Sequence, residues 1–532
     1  MKDIVPGCYK LQEVNSSFVM KELTSMKSTK STGLDNIGPQ FLKDGAKEIA
    51  YIITYLINLS INTKIVPECT KRSKVVPLYK KKSKLEVGNY RPVSVLTSIS
   101  KILEKAIHIQ VEEHCVNKGI TYPLQSGFRH SYSTDTCLVY LHDYIRTAWS
   151  KGEFVGMVLL DVQKAFDSVD HQMLCEKISL IGIDPTWFES YLCNRKQVVC
   201  INNNMSSEQI IKCGVPQGSI LGPWCYLVYS NDIATSVNCK LLMYADDTVL
   251  LVADKNVNTI SEKLSNAVSS CSQWLINNKL SMHMGKTEAI IFSSKRKRHM
   301  TKNFVINCQG HTIKPTESVK YLGLHLEQHL SSDITINSIV KKCNSKLRFM
   351  YRHSKALNTN TRKLLTSALI QCHFDYSATA WYMGSTKTLK NKLQVAQNKI
   401  VRFILNKGPR EHIGQTELDT VGIINTECRV KQLMLNHMHK VYYNTAPSYI
   451  SEMFTKQSDR QQYQTRRSDN NFVLPSVTSF AVNNFAVQGA KIWNSLPSNI
   501  QTIPSKQRFK SQVKRHFRCT SHSLETSDFI YM

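Results

Sequence analysis

Two adjacent aspartates set inside an apolar stretch constrain this chain more than any other feature. Leu241-Leu242-Met243-Tyr244-Ala245-Asp246-Asp247-Thr248-Val249-Leu250-Leu251-Val252 places β-prone apolar runs on both sides of the acid pair. The pattern predicts a tight hairpin with Asp246 and Asp247 at its tip. Neighbouring carboxylates repel each other and resist burial, so such a tip makes sense where a divalent cation offsets the charge. One more carboxylate from another strand would complete a site. Asp161 is the candidate, because it ends the buried run Met157-Val158-Leu159-Leu160, and strand ends are where mixed folds place working residues.

A chain of 532 residues is expected to form two to four subdomains. Its formal net charge of +28 and pI near 9.4 favour a polyanionic partner, with nucleic acid first. The 16 cysteines include no C-x-x-C pair and no cysteine–histidine cluster of zinc spacing. Free thiols in a reducing compartment are expected rather than a disulfide framework or a zinc finger. The first residues lack the apolar core of a signal peptide. The uncharged run 50–63 is too short to span a membrane and is expected to be a buried helix. An intracellular protein of nucleus and cytoplasm, without membrane association, is the expectation.

Taken in order, the chain opens with an amphipathic segment at 18–23, a turn-rich stretch at 30–39 and a helix over 39–62. A basic run, Lys71, Arg72, Lys74, Lys80, Lys81, Lys82 and Lys84, brackets a short strand at 75–79. Such a run is either a solvated face or one wall of a binding groove. Asn89-Tyr90-Arg91-Pro92-Val93-Ser94 and a helix over 99–116 follow, and make Arg91 and Lys101 candidates for holding a triphosphate. Arg129 is a candidate backbone contact, with a structural surface arginine as the alternative. Ser133 or Thr134 would cap a helix over 135–150. Asp167 and Asp170 read as capping or solvated carboxylates. Strands are expected at 198–202 and 209–213, around Asn203-Asn204. Gly214-Val215-Pro216-Gln217-Gly218-Ser219-Ile220-Leu221-Gly222 is a loop whose glycines let backbone approach a ligand closely, leading into a helix over 224–234. A packing helix is expected over 257–278, a strand over 286–292 and an exposed basic loop at 295–299. Beyond residue 332 helices dominate, at 334–352, 360–381, 386–405 and 509–518, with a polar stretch at 458–471.

Singly these signals are weak; their order is specific. Leu160-Asp161-Val162-Gln163-Lys164-Ala165-Phe166, Gly214-Val215-Pro216-Gln217-Gly218-Ser219, Tyr244-Ala245-Asp246-Asp247, Lys286-Thr287-Glu288 and Tyr321-Leu322-Gly323 resemble the successive motifs of reverse transcriptases. Residues 30–37 and 89–94 resemble the upstream elements of the non-LTR (LINE-type) class, with jockey-type elements nearest. Trp493-Asn494-Ser495-Leu496-Pro497 is similar to a C-terminal element of that class. Usual members carry smaller aliphatic residues and phenylalanine where this chain has Trp224-Cys225-Tyr226.

The resemblance implies an α+β right-hand polymerase: fingers, palm and thumb, with an antiparallel palm sheet and a mostly helical C-terminal region. The implied divisions are 1–65 as an extension of the fingers, 66–328 as fingers and palm, 329–410 as thumb and 411–532 as the C-terminal region. Asp161 and Asp246 would be the principal ligands of two Mg²⁺ ions, with Asp247 in support and Mn²⁺ as the substitute ion. Lys286 would protonate the leaving pyrophosphate. Phe166 would exclude a ribose 2′-hydroxyl, and Gln217 and Gly218 would lie along the nascent base pair, beside Arg91 and Lys101. Lys80, Arg129 and Tyr244 would contact nucleic acid. The partners implied are an RNA template, a DNA primer or nicked target DNA, dNTPs and a separate endonuclease. A second reading of the same residues is a decayed or co-opted nucleic-acid-binding protein that keeps the fold. A two-metal nuclease is the poorest reading, because Phe166 and the Gln217 loop have no role in it.

Overall fold

The computed structural model describes residues 8–29, 31–459, 470–478 and 480–527, with backbone alone for 519–527. Lys30, which opens the upstream element at 30–37, and most of the polar stretch at 458–471 lie outside the described residues. The chain divides into two compact units that interleave in sequence. The first is Met1–Phe128, Leu160–Thr248 and Ala267–Lys286; the second is Arg129–Leu159, Val249–Asn266 and Thr287–Met532.

In the first unit the helix Ser16–Ser25, capped by the Asn15 side chain, packs on the helix Ala46–Thr63. Gly45 separates that helix from Pro39–Asp44, so the expected single helix over 39–62 is two. Nor is it buried all round. Ala50, Ile53 and Ile57 face the interior, while Tyr51, Ile52 and Tyr55 are more than 60% exposed. A sheet carries Tyr90–Val95, Arg72–Tyr79, Lys196–Ile201 and Asn204–Met205 in that order. Arg72–Tyr79 runs antiparallel to Tyr90–Val95, opposing Leu78 to Arg91, and parallel to Lys196–Ile201. The hairpin at Asn203 is tighter than expected. Asn202 and Asn203 both take positive φ (49° and 67°), as a two-residue turn requires. The returning strand therefore begins at Asn204, and Gln209–Ile210 pairs separately with Lys196–Gln197. The helix Ser98–Asn117 falls where the sequence puts it, and His171–Leu180 is capped by Asp170, whose Oδ1 accepts from Met173 N at 3.0 Å.

In the second unit the helix Thr134–Ser150 starts from a capping box between Ser133 and Thr136. Phe154–Leu160 pairs antiparallel with Glu288–Phe292, from Val155 opposite Phe292 to Leu159 opposite Glu288. The hairpin Ser318–Tyr321 with Leu324–Glu327 and the helices Asp333–Arg352 and Lys387–Leu405 match the sequence pattern. The expected helix at 360–381 is broken. Thr359–Thr366 passes through a π turn, Ser367–Gln371, into Cys372–Asp375, and Ser377 at φ 50° stops it before Ala378–Trp381. The basic segment forms a 3₁₀ helix, Lys295–Thr301, and the last helix is longer than expected, Lys506–Ser527. Trp493 is fully buried and stacks on Tyr442, centroids 5.1 Å apart. The described cysteines are free thiols, and no described helix is long and apolar enough to cross a membrane.

Candidate active site

The acid pair sits where two strands turn. Lys240–Tyr244 leads through Ala245 and Asp246 into Asp247–Asp254. Ala245 holds φ 58°, a left-handed conformation that an alanine adopts only under constraint. The constraint is the segment 124–127. Gln125 Oε1 accepts from Ala245 N at 2.9 Å, and Gln125 Nε2 donates to Ala245 O at 3.3 Å. Ser126 N donates to Met243 O and Met243 N to Leu124 O, at 2.8 and 3.1 Å. A Cβ on Gly127 would overlap the Ala245 backbone nitrogen, so only glycine lets the brace come this close.

Asp161 follows directly on the strand Phe154–Leu160. Its carbonyl accepts from His283 N, and Gln163 N donates to Ser281 O, both at 2.8 Å. This short bridge brings the turn Met284–Lys286 alongside, and Lys286 Nζ lies 2.9 Å from Asp161 Oδ2. Lys286 thus precedes the strand, which starts at Glu288. Burial, then the charges of Asp246 and Asp161, push the Asp247 carboxyl up to about 6. Burial raises Asp246 as well, with Asp161 adding to the rise and Arg91 and Lys80 opposing it. The three acids therefore act on one another across the chain, within reach of two cations from the neighbouring strand and loop. Among the described residues no three acidic, cysteine or histidine side chains form a ready-made metal cage.

The glycine-rich loop meets this group beside Phe166. Phe166 lies in the turn Ala165–Asp167, and its carbonyl accepts from Val215 N at 2.8 Å. Its ring stacks on Tyr226 and meets Phe128 edge-on, with centroids 4.7 and 5.9 Å away. Gln217 Nε2 donates to Asp167 Oδ1 at 2.8 Å. Asp167 is therefore the anchor of Gln217, neither a cap nor a solvated acid as the sequence suggested. Ser94 N donates to Gln217 O at 2.8 Å, and Gly218, at φ 128°, is pressed against the Ser94 carbonyl, where a side chain would overlap. Ser94 is on the same strand as Arg91.

Of the other candidates, Lys80 and Arg91 are exposed, while Tyr244 and Lys101 are half-buried, Lys101 in the first turn of Ser98–Asn117. Arg129 belongs to the second unit, where its guanidinium covers the Tyr132 ring at 4.0 Å. Trp224 fits without disturbance, stacked on Phe188 at 5.3 Å and 5% exposed. Sequence reasoning did not assign roles to Gln125, Gly127, Glu104 or Tyr226. Only Gln125-Ser126-Gly127 offered a signal, as a glycine beside a polar pair.

Residues 79–326 match the family described as reverse transcriptase (RNA-dependent DNA polymerase). They are a reverse transcriptase domain. Its boundaries take in Lys80, Arg91, all three aspartates, Phe166, Gln217 and Lys286. The chain is 26% identical over 404 residues to a probable RNA-directed DNA polymerase from transposon BS of Drosophila melanogaster, covering 73% of this chain and 44% of the relative. It is 27% identical over 411 residues to the RNA-directed DNA polymerase from mobile element jockey of Drosophila funebris, covering 72% and 43%. The jockey protein of Drosophila melanogaster gives 26% over 413 residues, covering 74% and 43%. The chain thus spans less than half the length of these relatives. The reverse transcriptase domain is of the kind carried by jockey and similar non-LTR transposons.

Proposed function

We propose that the chain is an RNA-directed DNA polymerase of a LINE-type retroelement, joining dNTPs to a primer 3′-hydroxyl on an RNA template. The observation that carries this is the mutual action of Asp161, Asp246 and Asp247 beside Phe166 and the Gln217 loop. In this reading 66–328 supplies fingers and palm, 329–410 the thumb, 1–65 an extension and 411–532 a C-terminal region.

An oxygen-only donor set, in which Asp246 and Asp247 are lifted by burial and by the neighbouring acids, suits a hard divalent cation. Asp161, Asp246 and Asp247 would hold Mg²⁺, with Mn²⁺ as substitute. Bound there, it would supply neutralisation of phosphate charge and activation of the attacking hydroxyl. The chain's own residues do the rest. Arg91 and Lys80, already in range of Asp246, hold the triphosphate, with Lys101 in support. Phe166, backed by Tyr226, fills the space of a 2′-hydroxyl. Gln217 and Gly218 line the base pair. Lys286 gives its proton to the departing pyrophosphate as it leaves Asp161. Tyr244, Arg129 and the basic excess of the chain contact the backbone of the RNA–DNA duplex without reading sequence. Nicked target DNA and a separate endonuclease fit as partners for such a polymerase, and nucleus and cytoplasm as its compartments.

Primer extension on an RNA template with Mg²⁺ and dNTPs tests the reading. Asp246→Asn should abolish it. Tight template binding without extension by the unmutated protein would overturn the reading and leave a nucleic-acid-binding protein of the same fold.

A further inference from the structure

Glu104 is 1% exposed, on the helix Ser98–Asn117, one turn after Lys101. A carboxylate is rarely buried unless something repays its lost hydration. Burial raises the Glu104 carboxyl; Arg195 and then the start of the helix Leu221–Ser230 offset that rise only in part. That helix has no side-chain cap at Ile220. Its first backbone donors reach across the unit instead, Ile220 N at 2.6 Å and Leu221 N at 3.4 Å from Glu104 Oε2. The next donor, Gly222 N, goes to Ser219 Oγ at 2.8 Å. The other carboxylate oxygen accepts from Tyr191 Oη at 2.9 Å. Arg195, 1% exposed and lying over the Tyr191 ring at 4.6 Å, supplies the opposing charge. An anion at a helix start is favourable because the free N–H groups and the helix dipole point at it.

The consequence reaches the loop. Ser219, whose hydroxyl also donates to Pro216 O at 3.0 Å, immediately precedes the tethered Ile220. Gln217 and Gly218 are therefore clamped between Ser94 on one side and Glu104 on the other. We propose that Glu104 is a positioning residue for nucleotide selection: its carboxylate fixes the start of Leu221–Ser230 and thereby the place where Gln217 and Gly218 meet the incoming dNTP. This rests on the polymerase reading above.

The test compares the full chain with Glu104→Ala, Glu104→Gln and Glu104→Asp. Two measurements are made: amide hydrogen exchange across 214–222, and single-nucleotide insertion kinetics with the template–primer Kd. Gln keeps the reach and one acceptor oxygen but loses the charge; Asp keeps the charge but is one methylene too short. Glu104→Ala should raise exchange at 214–222 while leaving the strand that leads to Asp246 protected. It should raise the dNTP KM by about tenfold, the size expected for a lost buried hydrogen bond to a charged group, with kcat and template binding changed less. Glu104→Gln should recover more of the KM than Glu104→Asp. If Glu104→Ala does not fold, the Gln and Asp pair alone decides by that order. Unchanged exchange and KM in a folded Glu104→Ala overturns the proposal. So does a parallel loss of KM, kcat, template binding and melting temperature in Gln and Asp alike, which marks Glu104 as general scaffold. An unmutated protein that extends nothing sinks the polymerase reading instead, and the exchange data then judge the tether alone.

Discussion

Phe166 lies against Tyr226, their rings 26° from parallel and their centroids 4.7 Å apart. Tyr226 is 2% exposed, so it cannot recede and the Phe166 ring is held from behind. In the polymerase reading proposed above, a ring held in this way would exclude a ribose 2′-hydroxyl by sterics alone. Removing bulk from such a pocket typically relaxes discrimination by about tenfold to a hundredfold. Phe166→Val should therefore raise incorporation of ribonucleotides by that amount relative to dNTPs. Tyr226→Leu should give a smaller rise, because Phe166 stays but loses its backing. Competitive insertion of NTP against dNTP on one template measures both. Equal selectivity in Phe166→Val and the parent would remove the gate assignment.

Lys286 and Asp161 form an exposed pair at 2.9 Å, with side chains 59% and 39% exposed. Exposed pairs contribute at most ~1 kcal/mol to stability. Lys286→Ala should leave the melting temperature nearly unchanged. If the ammonium acts as general acid toward pyrophosphate, kcat should drop by roughly 10²-fold or more. Lys286→Arg, which keeps the charge but releases no proton at ordinary pH, should remain slow. Full activity in Lys286→Arg would limit Lys286 to an electrostatic part.

The acid pair was legible because its evidence is local: apolar β-prone runs on both sides leave little but a hairpin between them. Phe166 and the Gln217 loop were legible as a motif order. What the sequence hid depends on distance. Glu104 reads as one more helix-surface acid until the start of Leu221–Ser230 is brought to it from more than a hundred residues away. Asp167 reads as a turn acid until Gln217 finds it. The open face of Ala46–Thr63 is hidden in the opposite sense, because an apolar run says that a helix wants cover without saying which face receives it. Ser377 breaks an otherwise helical pattern by taking a left-handed turn that no residue type there announces.

Gly127 tests whether the bracing of the acid tip matters. Its φ is not in the left-handed region, so the objection to a side chain is space alone: a methyl group would meet the Ala245 backbone, which cannot rotate away. Gly127→Ala should destabilise the first unit by on the order of 1–3 kcal/mol, as overpacking does. It should also shift Asp246 and stop extension at temperatures where the protein remains folded. Denaturant unfolding and primer extension read the two effects. Unaltered extension would show that the Gln125 bonds alone hold the tip.

Asp143 does in the second unit what Glu104 does in the first, and its titration is open to measurement. It is 5% exposed on the helix Thr134–Ser150. Its two oxygens accept from Phe485 N and Ala486 N at 2.8 and 2.9 Å, capping the helix Phe485–Asn494. Burial pushes its carboxyl up to about 6, against the pull of the two amides and of Arg146. A folded-state pKa above the unfolded value of ~4 means that the folded form binds the proton more tightly between the two. This contribution to stability is therefore present below pH ~4 and is lost as pH rises to about 6, the reverse of an ion-paired acid such as Asp184, which the Lys64 hydrogen bond lowers to about 2. The loss should approach ~3 kcal/mol, at ~1.4 kcal/mol per unit. Asp143→Asn cannot titrate, so the difference in unfolding free energy between the unmutated chain and this variant should change by most of that amount, roughly 2 kcal/mol, from pH 4 to 6.5. A difference that stays flat across that range would show the two amide bonds holding Asp143 at an ordinary carboxylate pKa.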